Sequence, residues 1–274
     1  MQIRLTRTRE FEASHRYWLD DLSPEENRRL FGRCVSPHGH GHNYRCAASV
    51  VGALAPASGM VVDVKALDAA LGDVLAPLDH RFLNLDWAPL DGRQPTTEVL
   101  AGLLRGQLAA RVADWPVRVE SLRIYETDEL WAEAQEDAMV TLTRVYGFSA
   151  AHRLHEPGLS DEENAALFGK CNRPHGHGHD YRLEVSVGGS VDPRTGMVVD
   201  LACLDEAVRA RVLDRWDHRH LNLETEEFRA LNPTSENVVR VAWRLLAPHV
   251  APARLVRLVL WETPKSAFEY RGDE

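Results

Sequence analysis

The stretch Cys34-Val35-Ser36-Pro37-His38-Gly39-His40-Gly41-His42-Asn43-Tyr44 returns 137 residues later as Cys171-Asn172-Arg173-Pro174-His175-Gly176-His177-Gly178-His179-Asp180-Tyr181. Each copy holds one cysteine and three alternating histidines. A further histidine, His15 or His152, precedes each cysteine by 19 residues. Such a set of residues is what a zinc site requires, and its recurrence makes the chain a duplication.

Working outward, the 137-residue offset holds from His15/His152 to Asp63/Asp200 and includes the identical run Gly59-Met60-Val61-Val62-Asp63 and Gly196-Met197-Val198-Val199-Asp200. It becomes 138 at Asp79-His80/Asp217-His218 and at Thr97-Glu98/Ser235-Glu236, then 136 at Glu126/Glu262. The period is far too long for a solenoid. It divides the 274 residues into domains at 1–136 and 137–274, each of ordinary domain size.

Net charge of -9 without Lys/Arg runs argues against nucleic acid or an anionic membrane and for a small-molecule partner. With neither a long apolar run nor a signal-peptide core, a cytoplasmic protein is expected. Four cysteines are no disulfide framework. Cys46 and Cys203 lack counterparts in the other copy and are expected to be inert packing thiols.

The segment running into Phe11-Glu12-Ala13-Ser14-His15 reads as a strand, and Tyr181 to Val187 alternates like a second, half-buried one. Val64, Leu67, Leu71, Val74 and Leu75 share a helical face, as do Val238, Val241, Ala242 and Leu245 behind a Pro233-Thr234-Ser235 start. Val117 to Tyr125 with Glu129 to Ala134, and Leu255 to Trp261 with Ala267 to Tyr270, close the copies as strand pairs. The order strand, strand, helix, helix, strand, strand predicts an α+β fold: in each domain a four-stranded antiparallel sheet with two helices on one face.

In an extended segment residues i and i+2 point to one side, so either His38/His40 or His40/His42 can converge on an ion with His15 from the neighbouring strand. The same choice arises among His175, His177 and His179 beside His152. Three imidazoles leave a fourth position open, the mark of catalytic zinc. Cys34 and Cys171 are either thiolates acting as base or nucleophile in a positive field, or fourth ligands that close the site. Asp79-His80 and Asp217-His218 pair a carboxylate with an imidazole and could relay protons, although a single such pair is more often a surface turn. Glu126 and Glu262 end apolar strands, where a carboxylate can accept two parallel N–H bonds from an aminopyrimidinone edge.

Taken together these residues resemble the 6-pyruvoyl tetrahydropterin synthase family, which includes the bacterial 6-carboxytetrahydropterin synthases. The resemblance runs through nearly the whole chain. In copy two it is carried by Phe148-Ser-Ala-Ala-His152, Leu-Phe-Gly-Lys-Cys171, His-Gly-His-Gly-His-Asp-Tyr181, Trp216-Asp-His218, Pro233-Thr-Ser-Glu236 and Trp261-Glu-Thr263. It implies tunnelling-fold domains whose sheets join into barrels, three domains to a ring and two rings stacked, with active sites at domain interfaces. Three chains would then form a pseudo-hexamer, or a larger homo-oligomer.

The resemblance also implies a ligand set of His15, His40 and His42, with His152, His177 and His179, holding one Zn²⁺ per domain. It gives a catalytic relay to Cys34, Asp79 and His80, and to Cys171, Asp217 and His218. Substrate anchoring falls to Glu126 and Glu262, supported by Thr96, Thr97, Glu98, Thr234, Ser235 and Glu236. Arg33, Lys170 and Arg173 lie near enough to the cysteines to help bind phosphate, or are simply solvated cations. The implied activity is elimination of triphosphate from 7,8-dihydroneopterin triphosphate to 6-pyruvoyl-tetrahydropterin. Alternatives are the 6-carboxy product with loss of acetaldehyde, on the queuosine and 7-deazapurine route, and a non-catalytic zinc-stabilised pterin or purine binding module. His38 and His175, one alternation upstream of the ligands, are expected to support the ligand histidines from outside the donor set, and the Asn43/Asp180 difference has no reading from sequence.

Overall fold

The structure is a computed structural model and describes residues Gln2–Gly272. The chain separates into two compact units. One comprises residues 1–143 with the segment Gly188–Ala202, the other residues 144–187 and 203–274. The first division falls seven residues beyond the boundary at 136. The second places a segment of copy two, including Gly196 and Met197, in the unit built by copy one.

In the first unit β1 (Gln2–His15) pairs antiparallel with β2 (His40–Ala53), β2 with β4 (Val117–Thr127), and β4 with β5 (Leu130–Gln135). A two-residue strand, β3 (Arg81–Phe82), runs parallel to the free edge of β1. Helices α1 (Pro24–Phe31), α2 (Val64–Leu75), α3 (Leu83–Asp86) and α4 (Thr97–Arg111) fill the connections. Of these, α2 packs on β1 and α4 packs on β4 and β5. The sheet face under them buries Tyr44, Cys46, Ala48 and Val50 from β2 and Leu122 and Ile124 from β4. Leu67, Leu71 and Leu75 of α2 and Leu100, Leu104 and Leu108 of α4 complete the core. Each such side chain contributes roughly 1.5–3 kcal/mol on burial. Val64, expected on that helical face, is exposed at the first turn of α2.

The second unit repeats the plan. Its strand order is β10 (Ser266–Tyr270), β9 (Arg254–Thr263), β7 (His177–Gly189), β6 (Val140–His152), with β8 (Arg219–His220) parallel to β6. Helices α5 (Asp161–Phe168), α6 (Leu201–Val208), α7 (Asp214–Trp216), α8 (Leu221–Glu224) and α9 (Ser235–Leu246) connect them. A π-helical turn, Arg209–Leu213, joins α6 to α7.

Two helices absent from the sequence expectation, α1 and α5, lie between His15 and Cys34 and between His152 and Cys171. Each begins with a capping box, Ser23 with Glu26 and Ser160 with Glu163, in which side chain and backbone satisfy each other's orphan groups. The buried Asn27 and Asn164 amides donate to three carbonyls each, fixing the loop that leads into the helix. Cys46 is fully buried, which pushes its thiol up to about 12, as a packing thiol should be. Cys203 is exposed instead of packed, on the outer side of α6.

Candidate metal centre and substrate pocket

The site forms where β1 and β2 end side by side. Their register sets His15 opposite His40 and Ala13 opposite His42. Strand alternation then sends all three imidazoles to the buried face. The turn before β2 brings Gly39 against β1 with φ +73, where a Cβ would lie 2.8 Å from the His15 carbonyl oxygen and 2.8 Å from Phe82. Gly176 repeats this against His152 and His220. Only glycine permits both the left-handed backbone and the close approach.

His15 Nε2 lies 3.1 Å from His40 Nε2, and the His42 ring centroid is 5.2 Å from that of His15 and 4.9 Å from that of His40. In copy two His152 Nε2 is 3.2 Å from His177 Nε2, with His179 at matching centroid distances of 5.2 and 4.8 Å. His15 Nδ1 donates to the Pro95 carbonyl at 3.1 Å and His152 Nδ1 to that of Pro233 at 2.8 Å, so each Nε2 keeps its lone pair. Burial pushes His15 down to about 3 and His42 down to about 4, and it lowers His40, His152 and His177 as well. These rings are therefore neutral at physiological pH.

The Nε2 atoms of His42 and His179 are buried without a hydrogen-bond partner among the described residues. Orphaned nitrogens converging with two other imidazoles fit a divalent ion, whose tetrahedral nitrogen donors stand about 3.4 Å apart. Within each trio one ligand atom per residue lies within 4.8 Å of the others. His38 and His175 belong to neither trio.

A carboxylate stands beside each trio. Glu126 Oε1 is 3.5 Å from His42 Nε2, and its Oε2 accepts from Tyr17 Oη at 3.4 Å. Glu262 Oε1 is 3.7 Å from His179 Nε2 and accepts from Ser235 Oγ at 2.8 Å. Tyr17 was not singled out from sequence. Its position two residues beyond His15 was the available signal, and its ring packs edge-on against the His15 imidazole. Tyr17 and Phe31 also pack against Cys34, whose carbonyl accepts from the Tyr17 N–H at 2.9 Å. Cys34 thus joins the trio's surroundings through Tyr17. Cys171 holds the corresponding 3₁₀ turn, its carbonyl accepting from Leu154 N–H at 2.9 Å.

Thr96 caps α4, accepting from Val99 N–H at 3.2 Å and donating to the Gly196 carbonyl at 2.5 Å. Glu98 is buried; one oxygen accepts from Val198 N–H at 3.2 Å and the other from Thr97 Oγ1 at 3.1 Å. Burial raises its carboxyl against those bonds. The counterparts differ: Thr234 caps α9, Ser235 holds Glu262, and Glu236 is exposed.

The structure does not bring Asp79 and His80 to the trio of their own copy. Asp79 Oδ1 accepts from Glu12 N–H at 3.0 Å, and His80 N–H donates to the Glu12 carbonyl at 2.6 Å. The His80 imidazole is exposed, 3.1 Å from Asp79 and 3.9 Å from the Glu12 carboxylate. Glu12 alternates with Ala13 and points away from the face that carries His15. Asp217 and His218 do the same against Ser149, at 2.8 and 2.6 Å. His80 and His218 adopt φ of +55 and +56, a costly conformation for a non-glycine residue that recurs in both copies. The N–H of Glu12 and then His80 hold Asp79 below the usual carboxylate range; for Asp217 partial burial opposes the Ser149 and His218 bonds, which prevail.

The Asn43/Asp180 difference also acquires a reason. Asn43 faces Glu12 across the strands, whereas Asp180 accepts from Ser149 Oγ at 2.6 Å. Each pair carries one acid, placed on opposite strands in the two copies.

The repeated α+β unit thus brings three imidazoles and a carboxylate together at its strand ends in both copies, a donor set that could hold a metal ion. The profile of the family described as 6-pyruvoyl tetrahydropterin synthase matches residues 4–137 and again 141–273, and the chain belongs to that family. A 6-pyruvoyl tetrahydrobiopterin synthase of Drosophila melanogaster is 44% identical over 132 residues, 48% of this chain and 79% of the relative. That of Homo sapiens is 39% identical, covering 48% of this chain and 91% of its own. A 6-carboxy-5,6,7,8-tetrahydropterin synthase of Haemophilus influenzae is 28% identical over 153 residues, 48% of this chain and 99% of the relative. The solved structure of the Caenorhabditis elegans 6-pyruvoyl tetrahydropterin synthase, 46% identical, covers 49% of this chain and 96% of its own with a TM-score of 0.47.

Proposed function

We propose that the chain is a zinc-dependent lyase that eliminates triphosphate from 7,8-dihydroneopterin triphosphate to give 6-pyruvoyl-tetrahydropterin. The observation that carries this reading is the convergence, in both copies, of three imidazoles beside a carboxylate on a buried strand-end face. His15, His40 and His42, and His152, His177 and His179, would hold one ion each. Zinc held there would supply Lewis acidity toward the side-chain hydroxyls of the substrate and the adjacent C–H.

The chain's own groups do the rest. Glu126 and Glu262 accept the paired N–H donors of the aminopyrimidinone, fixing the ring. Cys34 and Cys171, as thiolates, take a proton from the side-chain carbon next to a hydroxyl. The electron pair passes into the ring, whose carbon–nitrogen double bond is reduced as the side chain is oxidised, so no external redox partner enters. A second proton, from the neighbouring hydroxyl-bearing carbon, is then removed; its electron pair forms the carbon–carbon double bond that expels triphosphate with the C–O bonding pair, and the resulting enol takes up a proton at the terminal carbon to become the second ketone, the Asp79-His80 and Asp217-His218 pairs moving these protons. Because each Asp-His pair is exposed on the face opposite its own trio, it serves a centre supplied by another copy in the assembled oligomer. Sheets joined into barrels would provide that arrangement.

Higher identity to the pyruvoyl relatives than to the carboxy relative favours the pyruvoyl product. The test is incubation of the zinc-loaded protein with 7,8-dihydroneopterin triphosphate, followed by mass spectrometry. Triphosphate without acetaldehyde is expected. Acetaldehyde would assign the 6-carboxy reaction, and substrate bound but unchanged would mean a binding module.

A further inference from the structure

Each centre sets a hydroxyl on the carboxylate beside its histidines, and the two copies draw that hydroxyl from different places. In copy two Ser235, the first residue of α9, donates to Glu262 Oε1 at 2.8 Å. Its counterpart in copy one, Thr97, has a single O–H, and that proton is given to Glu98 at 3.1 Å. Glu98 is 3% exposed and draws the hydroxyl because a buried carboxylate left without donors is costly. Glu236 is exposed to solvent and makes no such demand on Ser235.

In copy one a donor to the carboxylate comes instead from Tyr17, whose Oη reaches Glu126 Oε2 at 3.4 Å. The phenol is 4% exposed and held from several sides. Its ring stands edge-on to His15 at 4.8 Å and to Phe31 at 5.7 Å, and its backbone N–H donates to the Cys34 carbonyl at 2.9 Å. Leu154 takes the same place in copy two, with the same backbone bond to Cys171 at 2.9 Å and no hydroxyl to offer. The Glu126 side chain, with the phenol against it, is 8% exposed, whereas that of Glu262 is 23% exposed.

We propose that Tyr17 is a positioning residue for substrate binding in copy one, doing through a phenol what Ser235 does through a helix-start hydroxyl in copy two: it holds the Glu126 carboxylate in the orientation that accepts the paired N–H groups of an aminopyrimidinone. This role rests on Glu126 and Glu262 being the pterin anchors. Each carboxylate oxygen can accept two donors, so Tyr17 holds Oε2 without displacing a ligand N–H. A carboxylate held in one orientation beforehand loses less freedom when the ligand binds. The two hydroxyls are not equally effective. An O–H···O bond of 2.8 Å has the preferred length and one of 3.4 Å is well past it. Loss of the Ser235 hydroxyl should therefore weaken binding about tenfold, and loss of the Tyr17 hydroxyl about threefold.

The test is calorimetric titration of the full-length, zinc-loaded protein with neopterin, a pterin without phosphate, in two backgrounds. Glu262→Gln leaves the copy-one anchor intact and Glu126→Gln leaves that of copy two. In the first background Tyr17→Phe, which keeps the ring and its packing, should raise Kd about threefold at unchanged zinc content and unfolding temperature; in the second it should leave Kd as it was. Ser235→Ala should do the reverse, raising Kd about tenfold in the second background alone. Adding Leu154→Tyr there, at unchanged unfolding temperature, should return Kd to within about threefold of its starting value, because a phenol again stands at the place Tyr17 holds. Neopterin binding that is indifferent to Tyr17→Phe in the first background, weakened equally in both, or not restored by Leu154→Tyr would overturn the role of Tyr17 and leave the pterin reading standing. Neopterin that binds in neither background would overturn the pterin reading and the role of Tyr17 with it.

Discussion

Removing metal should make the protein acid-labile in a window well above the carboxylate range. His15 is fully buried, and burial pushes it down to about 3 from an unfolded value near 6.5. The unfolded chain binds a proton that the folded chain refuses, so stability is fully present above about pH 6.5 and is lost as pH falls toward about 3. The slope is about 1.36 kcal/mol per pH unit for each such group. Between pH 7.5 and 5 His15 alone costs about 2 kcal/mol, since 1.5 units of the gap have been crossed. His42 titrates in the same direction. Urea titrations of chelator-treated protein at the two pH values measure this, and 2 kcal/mol shifts a midpoint by roughly 1 M. His15→Gln keeps an N–H for the Pro95 carbonyl while removing the titration, and should lose about 2 kcal/mol less than wild type over the interval. Equal losses in the two proteins would refute the assignment of a buried, neutral His15. Added zinc should oppose the acid effect, because it binds the same neutral imidazoles.

Gly39→Ala and Gly176→Ala put a methyl group against the carbonyl of the first histidine in each trio and should destabilise by more than about 1 kcal/mol and lower zinc content, read by thermal unfolding and metal analysis. Cys34→Ala combined with Cys171→Ala should cut turnover at least a hundredfold while zinc stays bound; loss of zinc would make the cysteines ligands. Glu126→Gln with Glu262→Gln should raise KM for the pterin substrate at unchanged metal content, because one acceptor of the paired N–H contact becomes a donor.

The duplication, the strand ends carrying histidines and the principal helices were legible because each rests on local pattern: alternation at 40, 42 and 44, and helical spacing at 67, 71 and 74. Helices α1 and α5 were equally local and went unread, although Ser23 with Glu26 and Ser160 with Glu163 announced them. What no local pattern carries is long-range. Asp79-His80 looked like a partner for Cys34 because both surround the histidines in sequence. The pairing of Arg81 with Ala13 sets the pair on the Glu12 side of β1 instead. Likewise, Gly196-Met197-Val198 reads as part of copy two and folds with copy one.

The most direct test of the account is the zinc count and coordination of the wild-type chain by metal analysis and X-ray absorption. The account predicts two zinc ions per chain, each with three imidazole nitrogens, an oxygen in the fourth position and no sulfur. Zinc bound to cysteine sulfur, or a chain that holds no zinc in stoichiometric amount, would contradict it.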